Sequence, residues 1–84
     1  MSEGDLMGRL TTVFQSVFGD EMLSLSRVTT ARDVEGWDSL MHINLIVAVE
    51  REFKIRFTTR EIAGLKDVGE LLDLIASKQA VTPS

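Results

Sequence analysis

The sequence has no cysteine and only one histidine, His42. Without cysteine the chain can form no disulfide framework, no thiolate metal site and no cysteine nucleophile. One histidine is too few for a histidine-based zinc site. The acidic residues Asp67, Glu70 and Asp73 are most simply interpreted as helix caps and a solvated face rather than as metal ligands. We therefore expect no metal site.

Long apolar runs are also missing. No stretch is long enough to span a bilayer, and the N-terminus lacks the basic segment and apolar run of a signal peptide. The formal charge is −4, from thirteen acidic and nine basic residues. A mildly acidic chain is poorly suited to nucleic acid or anionic membranes, and it suits protein partners with basic docking patches. We expect a cytoplasmic protein that neither binds nucleic acid nor inserts into a membrane.

The chain is short, with 84 residues. A domain of this size buries only about 60% of the surface that its unfolded chain exposes, which suffices for one core but hardly for a deep catalytic cleft. Hydrophobic residues make up 44% of the sequence, so the chain should fold. We predict one monomeric domain over residues 1–84, with a core at about 5–78 and a frayed tail at 79–84.

Apolar residues repeat at helical spacing near the N-terminus, at Leu6, Leu10, Val13, Phe14 and Val17. This stripe predicts an amphipathic first helix. Ser2 and Asp5 have the spacing of a capping box at its start, and Gly19 is a candidate stop signal.

A long connection follows, from Asp20 to Asp38, without a sustained helical stripe. Structureless connections of this length are uncommon in small domains unless they are held down or functional. We expect Leu23, Leu25 and Val28 to attach this segment to the core.

The second helix is predicted over Ser39–Phe53. From Leu40 to Val49 every residue except His42 and Asn44 is apolar or alanine. A helix that is apolar on most sides is either central or keeps a surface for partners. The β-branched residues also permit a strand, but we reject it because the apolar positions do not alternate.

Two further segments complete the fold. Thr58 and Glu61 have capping-box spacing at the start of a short third helix. A fourth helix opens at Asp67, ends near Lys78 and carries on one face Val68, Leu71, Leu72 and Ile75. We therefore predict an all-α fold, a small four-helix bundle of three longer helices and one short one, with a long loop between helices one and two. The residues expected to dominate its core are Leu10, Phe14, Ile43, Phe53 and Leu71.

The strongest chemical signal lies in the turn before the second helix, Gly36-Trp37-Asp38-Ser39-Leu40. Asp38 is well placed as the N-cap, which puts Ser39 in the first turn. Backbone N–H groups there lack intrahelical partners and the helix dipole is positive, so a phosphate esterified to Ser39 would be stabilised. The long segment before it would let a modifying enzyme reach the hydroxyl.

Asp38-Ser39-Leu40 resembles the Asp-Ser-Leu motif of acyl carrier proteins, in which the serine receives phosphopantetheine from coenzyme A. The resemblance extends over roughly Leu6 to Ile75 in the order and spacing of the helices. It includes the family's second helix, apolar and then charged, here Leu40-Met41-His42-Ile43-Asn44-Leu45-Ile46 followed by Val49-Glu50-Arg51-Glu52-Phe53.

This resemblance implies a carrier and not an enzyme. Ser39 would hold a covalent phosphopantetheine arm that carries acyl intermediates as thioesters, for fatty-acid, polyketide or specialised lipid biosynthesis. A phosphopantetheinyl transferase would attach the arm with the help of magnesium, Asp38 would assist metal binding in that complex, and Leu40 would contact partners. The other partners would be acyl-loading, condensing and acyl-transfer enzymes. The residues placed to line a pocket for the acyl chain are Ile46, Val49, Ile62 and Leu65.

The chain departs from the strongly acidic second helix of many fatty-acid-synthesis members. Met41 and Asn44 stand at positions that are often acidic, and Arg51 interrupts the closing charged cluster. We therefore expect docking with more apolar contact and less charge, on Leu40, Met41, Asn44, Val47 and Arg51. This departure favours a specialised pathway, such as polyketide or modified-lipid assembly, over primary fatty-acid synthesis.

Other interpretations stay open at this point. An aminoacyl or peptidyl carrier shares the fold and the serine, and an unmodified helical adaptor would bind partners through the second helix. In a third interpretation, Ser39 only caps the helix and carries no modification. Asp38, Ser39 and His42 also suggest a hydrolase, but the Gly-x-Ser-x-Gly elbow is absent, and His42 is expected to be solvated. Trp37 is expected to be a packing anchor rather than a recognition residue, because it is a lone tryptophan directly before a helix.

Overall fold

Four helices make up most of residues 3–81, the part of the chain that the computed structural model describes, with side chains over 3–79. In chain order they are α1 (Glu3–Phe18), α2 (Ser39–Phe53), α3 (Thr59–Gly64) and α4 (Val68–Val81). No strand occurs within residues 3–81. The prediction of a small all-α fold, with one short helix and a long first connection, is confirmed.

Helix α1 buries the predicted stripe of Leu6, Leu10, Val13 and Phe14. It ends at Phe18 because the next residue, Gly19, has a φ of 64°, a left-handed conformation that glycine adopts without steric cost. The predicted capping box involves Ser2, which lies outside the described residues.

Helix α2 has the predicted bounds and ends in a tight turn. Lys54 follows it with a φ of 57°, and its N–H donates to the Glu50 carbonyl. The N–H of Ile55 donates to the same carbonyl at 3.1 Å. The chain therefore leaves α2 by a left-handed C-cap, with a lysine where glycine is the usual residue.

The core lies between α1, α2 and α4. Near the C-terminal end of α2, the Arg9 guanidinium donates to the Glu52 carbonyl at 2.7 Å. Near its start, the rings of Phe14 and Trp37 lie 5.3 Å apart. Helices α1 and α2 therefore run antiparallel, and α4 contributes Val68, Leu71, Leu72 and Ile75 to the shared core.

The prediction of the core residues is wrong at one position. Ile43 is 51% exposed, whereas Leu10, Phe14, Phe53 and Leu71 are buried as expected. The inward face of α2 is formed by Leu45, Ile46, Val49 and Phe53. At about 100° per residue this face excludes position 43, which shares the outer face with position 47.

The long connection is attached to the core, although not entirely by the expected residues. Leu23 and Leu25 pack against the core as predicted. Val28 does not, because it is 75% exposed, and Val34 is buried instead at 4% exposure. The prediction for Val28 is therefore corrected.

Backbone hydrogen bonds join this connection to the start of α4. The carbonyls of Arg27 and Thr29 accept the N–H groups of Gly69 and Val68, at 2.8 and 2.9 Å. These two donors belong to the first turn of α4 and lack intrahelical partners. The Arg27 guanidinium also pairs with Asp73, at 2.9 Å, and with Glu3.

The last helix extends beyond the core boundary at about residue 78 that the sequence predicts. Helix α4 continues to Val81. The Gln79 side-chain amide donates to the Phe53 carbonyl at 3.4 Å, which connects the end of α4 to the end of α2. Residues 82–84 lie outside the described part of the chain.

Substitution by alanine should have opposite effects on the free energy of unfolding at two glycines. A Cβ at Gly69 would lie 2.8 Å from the Arg27 carbonyl oxygen, whereas a Cβ at Gly8, inside α1, would meet nothing within 4 Å. Gly69→Ala should lower the free energy of unfolding by about 1–3 kcal/mol, because backbone must move. Gly8→Ala should raise it by about 0.5–1 kcal/mol through helix propensity. Urea denaturation of both variants checks this, and equal stabilisation by both would contradict the close backbone contact.

Candidate functional site

The candidate site begins with a tight turn ahead of α2. Gly36 has a φ of 88°, which favours glycine. The Trp37 N–H donates to the carbonyl of buried Val34 at 3.2 Å. Asp38 follows in an extended conformation, and its Oδ1 accepts the Met41 N–H at 2.9 Å. Asp38 is therefore the N-cap of α2, as predicted, and Ser39 is the first helical residue.

Ser39 is exposed, so its hydroxyl faces solvent. The first turn of α2 contains no acidic residue. The positive end of the helix dipole and the first-turn N–H groups therefore act at Ser39, beside the Asp38 carboxylate, which is engaged by the Met41 N–H. The positive electrostatic potential at this helix end would stabilise a phosphodiester on the hydroxyl.

Trp37 packs as an anchor. Its indole ring meets Phe14 nearly edge-on, with the ring centroids 5.3 Å apart, and lies 6.0 Å from Phe18. The indole N–H donates to His42 Nδ1 at 3.1 Å. The end of the long connection is thus attached both to α1 and to α2.

His42 bridges two elements and is not the solvated residue expected from the sequence. Because the Trp37 indole can only donate, Nδ1 must accept, and the ring proton lies on Nε2. Nε2 is 3.1 Å from the Ile62 carbonyl and donates to it. Both ring nitrogens are therefore engaged away from Ser39, which argues against the hydrolase interpretation.

A cavity of about 530 Å³ opens beside Ser39, between α2, α3 and the start of α4. Its lining combines apolar and polar groups and includes Trp37, Ser39, His42, Ile43, Ile62 and Leu65. Lys66 and Asp67 also contribute. This volume lies within the range of small-molecule pockets in proteins.

The four residues predicted to line an acyl pocket are not brought together. Ile62 and Leu65, from α3 and the residue after it, line the cavity. Ile46 and Val49 lie in the core between the helices, at 2% and 0% exposure. Sequence reasoning missed Ile43, although its position four residues after Ser39 places the two on one helix face.

Residues 8–75 match the family model described as phosphopantetheine attachment site. Among solved structures, the holo acyl carrier protein from Geobacter metallireducens is 46% identical, with a TM-score of 0.83 over 88% of this chain and 85% of that chain. The chain belongs to the acyl carrier protein family. A comparison with curated proteins found no match.

As a family member, the carrier holds a covalently attached phosphopantetheine and is not itself a catalyst. Within the described residues there is no helix long and apolar enough to cross a membrane. The same part of the chain contains no group of acidic or histidine side chains arranged to hold a metal ion.

The predicted docking residues of the carrier lie along α2 with different exposures. Leu40 is 70% exposed and Val47 is 41% exposed. Asn44 and Arg51 are exposed, and Met41 is half-buried, with its sulfur 3.9 Å from the Asn44 amide nitrogen. Leu40, Ile43 and Val47 are thus the exposed apolar residues of the outer face of α2, and Arg51 lies on that face in the last turn.

Helix α3 forms one wall of the cavity and is held mainly by polar contacts. Thr58 and Glu61 form the predicted capping box, with the Glu61 N–H 3.1 Å from Thr58 Oγ1 and the Thr58 N–H 2.9 Å from Glu61 Oε1. Lys78 of α4 pairs with the Glu61 carboxylate at 2.8 Å. These hydrogen bonds, that of Lys78 above all, lower the pKa of Glu61.

Removing the Lys78 ammonium should raise the pKa of Glu61 toward its ordinary value of 4.5. A lowered carboxyl pKa contributes stability above the unfolded-state value, and this contribution is lost as the pH falls through the folded-state value. Lys78→Met should therefore move the Glu61 titration to higher pH, measured by side-chain carbon NMR. Arg60→Met, which removes a neighbouring cation, should leave that titration in place. An unchanged Glu61 titration in Lys78→Met would refute the role of this ion pair.

Proposed function

We propose that this carrier holds acyl intermediates as thioesters on a phosphopantetheine arm attached to Ser39. The observation that carries the proposal is the exposed Ser39 hydroxyl at the first position of α2, directly after an Asp38 N-cap. The Asp38-Ser39-Leu40 sequence lies within the range that matches the attachment-site family. The similar Geobacter metallireducens protein was solved in its holo form.

The surroundings of Ser39 suit a phosphodiester on physical grounds. The hydroxyl lies at the positive end of a fifteen-residue helix. Asp38 already caps the Met41 N–H, so the serine hydroxyl is not needed as the cap. In the transferase complex, the exposed Asp38 would assist magnesium binding. When bound, the arm supplies a thiol that forms the thioester.

The cavity beside Ser39 suits part of an acyl chain. Ile43, Ile62, Leu65 and Leu71 supply apolar lining. The cavity lies between α2 and the short α3, which has no fully buried residue and packs against the core through Ile62. Ile46 and Val49 would lie behind this lining, in the core, and not in contact with the chain.

The outer face of α2 favours a specialised pathway, such as polyketide or modified-lipid assembly, over primary fatty-acid synthesis. Its first turn has no acidic residue, and Leu40, Ile43 and Val47 are all exposed. A partner with a basic patch would find little to pair with there. Loading by acyl-coenzyme A-derived units, and not by amino acids, would separate this role from that of an aminoacyl or peptidyl carrier.

Ser39 should be the sole attachment point of the arm. Incubation with coenzyme A, magnesium and a broad-specificity phosphopantetheinyl transferase should add one phosphopantetheine to the wild type and none to Ser39→Ala, as measured by intact-mass spectrometry. Because Asp38 is the cap, Ser39→Ala should change the free energy of unfolding by no more than about 0.5 kcal/mol.

Ser24, in the long connection, offers a matched control because it is also an exposed serine. Ser24→Ala should be modified as fully as the wild type. Modification of Ser39→Ala at another residue would overturn the assignment, as would a wild type that carries no arm in its native host.

Docking on the outer face of α2 should depend more on apolar contact than on charge. Leu40→Asp should raise the KM of the transferase for the carrier more than an increase from low to physiological ionic strength does, since salt weakens only the charged contacts. Val28→Asp, at an exposed apolar residue of the long connection, should leave KM near that of the wild type. Strong salt dependence with an unchanged KM for Leu40→Asp would contradict apolar docking.

A further inference from the structure

A second surface lies at the opposite end of α2 from Ser39. A groove of about 300 Å³ there is lined by Val47, Glu50, Arg51, Lys54, Ile55 and Arg56. At 1.5 Å per residue, Lys54 lies roughly 22 Å along the helix axis from Ser39. This basic groove, as we call it, is therefore separate from Ser39 and from the cavity beside it, and it shares Val47 and Arg51 with the docking residues predicted on α2.

The carboxylates near the basic groove are engaged within the fold. Glu50 Oε2 accepts the Phe57 N–H at 2.8 Å. Glu52 pairs with Arg9, at 3.0 Å. Glu52 is thus turned toward Arg9 and away from the groove. Glu50 holds the turn after α2 and also lines the groove, so its single charge offsets only part of the charge of the three cations there.

The cations of the basic groove are not engaged in this way. Arg51, Lys54 and Arg56 are exposed, and none forms an ion pair within the described residues. Arg51 lies in the last turn of α2, where it also complements the helix dipole. Arg56 lies beyond the helix and has no such role. Three unpaired cations around one groove stand out in a chain of net charge −4.

Lys54 adds a conformational argument. Its φ of 57° is one that glycine adopts freely and that costs a lysine backbone strain. A glycine there would end α2 at least as well. A lysine is therefore not required to end the helix, and its ammonium adds to the positive charge of the groove that it lines.

The basic groove also has an apolar contact point. Val47 is 41% exposed at its edge, and Ile55 is buried beneath it at 8% exposure. An apolar side chain entering the groove would cover Val47 and be surrounded by the three cations. Protein interfaces likewise combine apolar contacts at the centre with a polar rim.

We propose that the basic groove docks an acidic segment of a partner protein, in which an apolar side chain is flanked by carboxylates. Charge complementarity selects this occupant over one with a basic patch. Nucleic acid and anionic membranes fit less well, because the chain as a whole is acidic and three cations neutralise few phosphates. The groove does not involve Ser39, so this docking is independent of the arm.

Two synthetic helical peptides of about 16 residues serve as probes. They share one leucine anchor and differ only in having either glutamates or lysines around it. Each is titrated into the isotope-labelled full-length carrier, as apoprotein and as holoprotein, and backbone amide shifts are followed by NMR. The glutamate peptide should shift the amides of Val47, Arg51 and Arg56 equally in both forms, and the lysine peptide should not.

Charge variants complete the test. Arg56→Glu should weaken binding of the glutamate peptide roughly tenfold. Lys54→Gly should weaken it roughly threefold while the fold is kept, because glycine suits the left-handed C-cap. Arg32→Glu makes the same charge change outside the groove and should alter the affinity by less than about twofold.

The proposal is overturned if neither peptide binds, if both bind equally, or if Arg56→Glu has no more effect than Arg32→Glu. It is also overturned if phosphatidylglycerol vesicles or a short single-stranded RNA shift the groove amides at lower concentration than the glutamate peptide. A negative result in any of these experiments would not bear on the attachment of phosphopantetheine to Ser39, because the peptides are also titrated into the apoprotein.

Discussion

The position of Ser39 depends on the contact of Trp37 with α1. The indole ring lies against Phe14 and Phe18, and its N–H reaches His42. This contact fixes where the long connection ends, and Asp38, the next residue, caps α2 immediately afterwards. If the sequence were shifted by one residue along α2, the serine would move by about 100° around the helix axis and leave the mouth of the cavity.

The same helix presents different chemistry at its two ends. Near its start the large exposed side chains are the apolar Leu40, Ile43 and Val47, and the nearest carboxylate is that of the N-cap, Asp38. Near its end the carboxylates of Glu50 and Glu52 are occupied, and the cations face solvent. The sequence around the end of α2 is nearly balanced in charge, and the surface there is positive because the fold pairs Glu52 with Arg9, away from the groove. A count of charged residues does not reveal it.

The sequence was sufficient wherever local patterns decide the structure. The bounds of α2, the Asp38 cap and the capping box of α3 all follow from residues close in the chain. Ile43 was misplaced because α2 is apolar on most sides, so the pattern does not say which face turns inward. That face is decided by contact with α1 and α4, which are distant in sequence.

Long-range hydrogen bonds account for the other differences. Val28 is exposed because the carbonyls on either side of it, of Arg27 and Thr29, are directed to the start of α4. His42 became half-buried because an indole N–H and a carbonyl from two other segments meet its ring. Neither partner can be found from the spacing of residues along the chain.

Helix α3 has a consequence for the energy of opening the cavity. It has six residues and fully buries none of them. Ile62 packs partly against the core, and the polar contacts are a capping box, one ion pair and the hydrogen bond from His42. Short segments with few buried apolar contacts undergo local unfolding at a free energy well below that of the whole domain. Movement of α3 that enlarges the cavity should therefore cost less free energy than unfolding of the unit formed by α1, α2 and α4. A ligand could then bind or leave between α2 and α3 without any change in the position of Ser39 on α2.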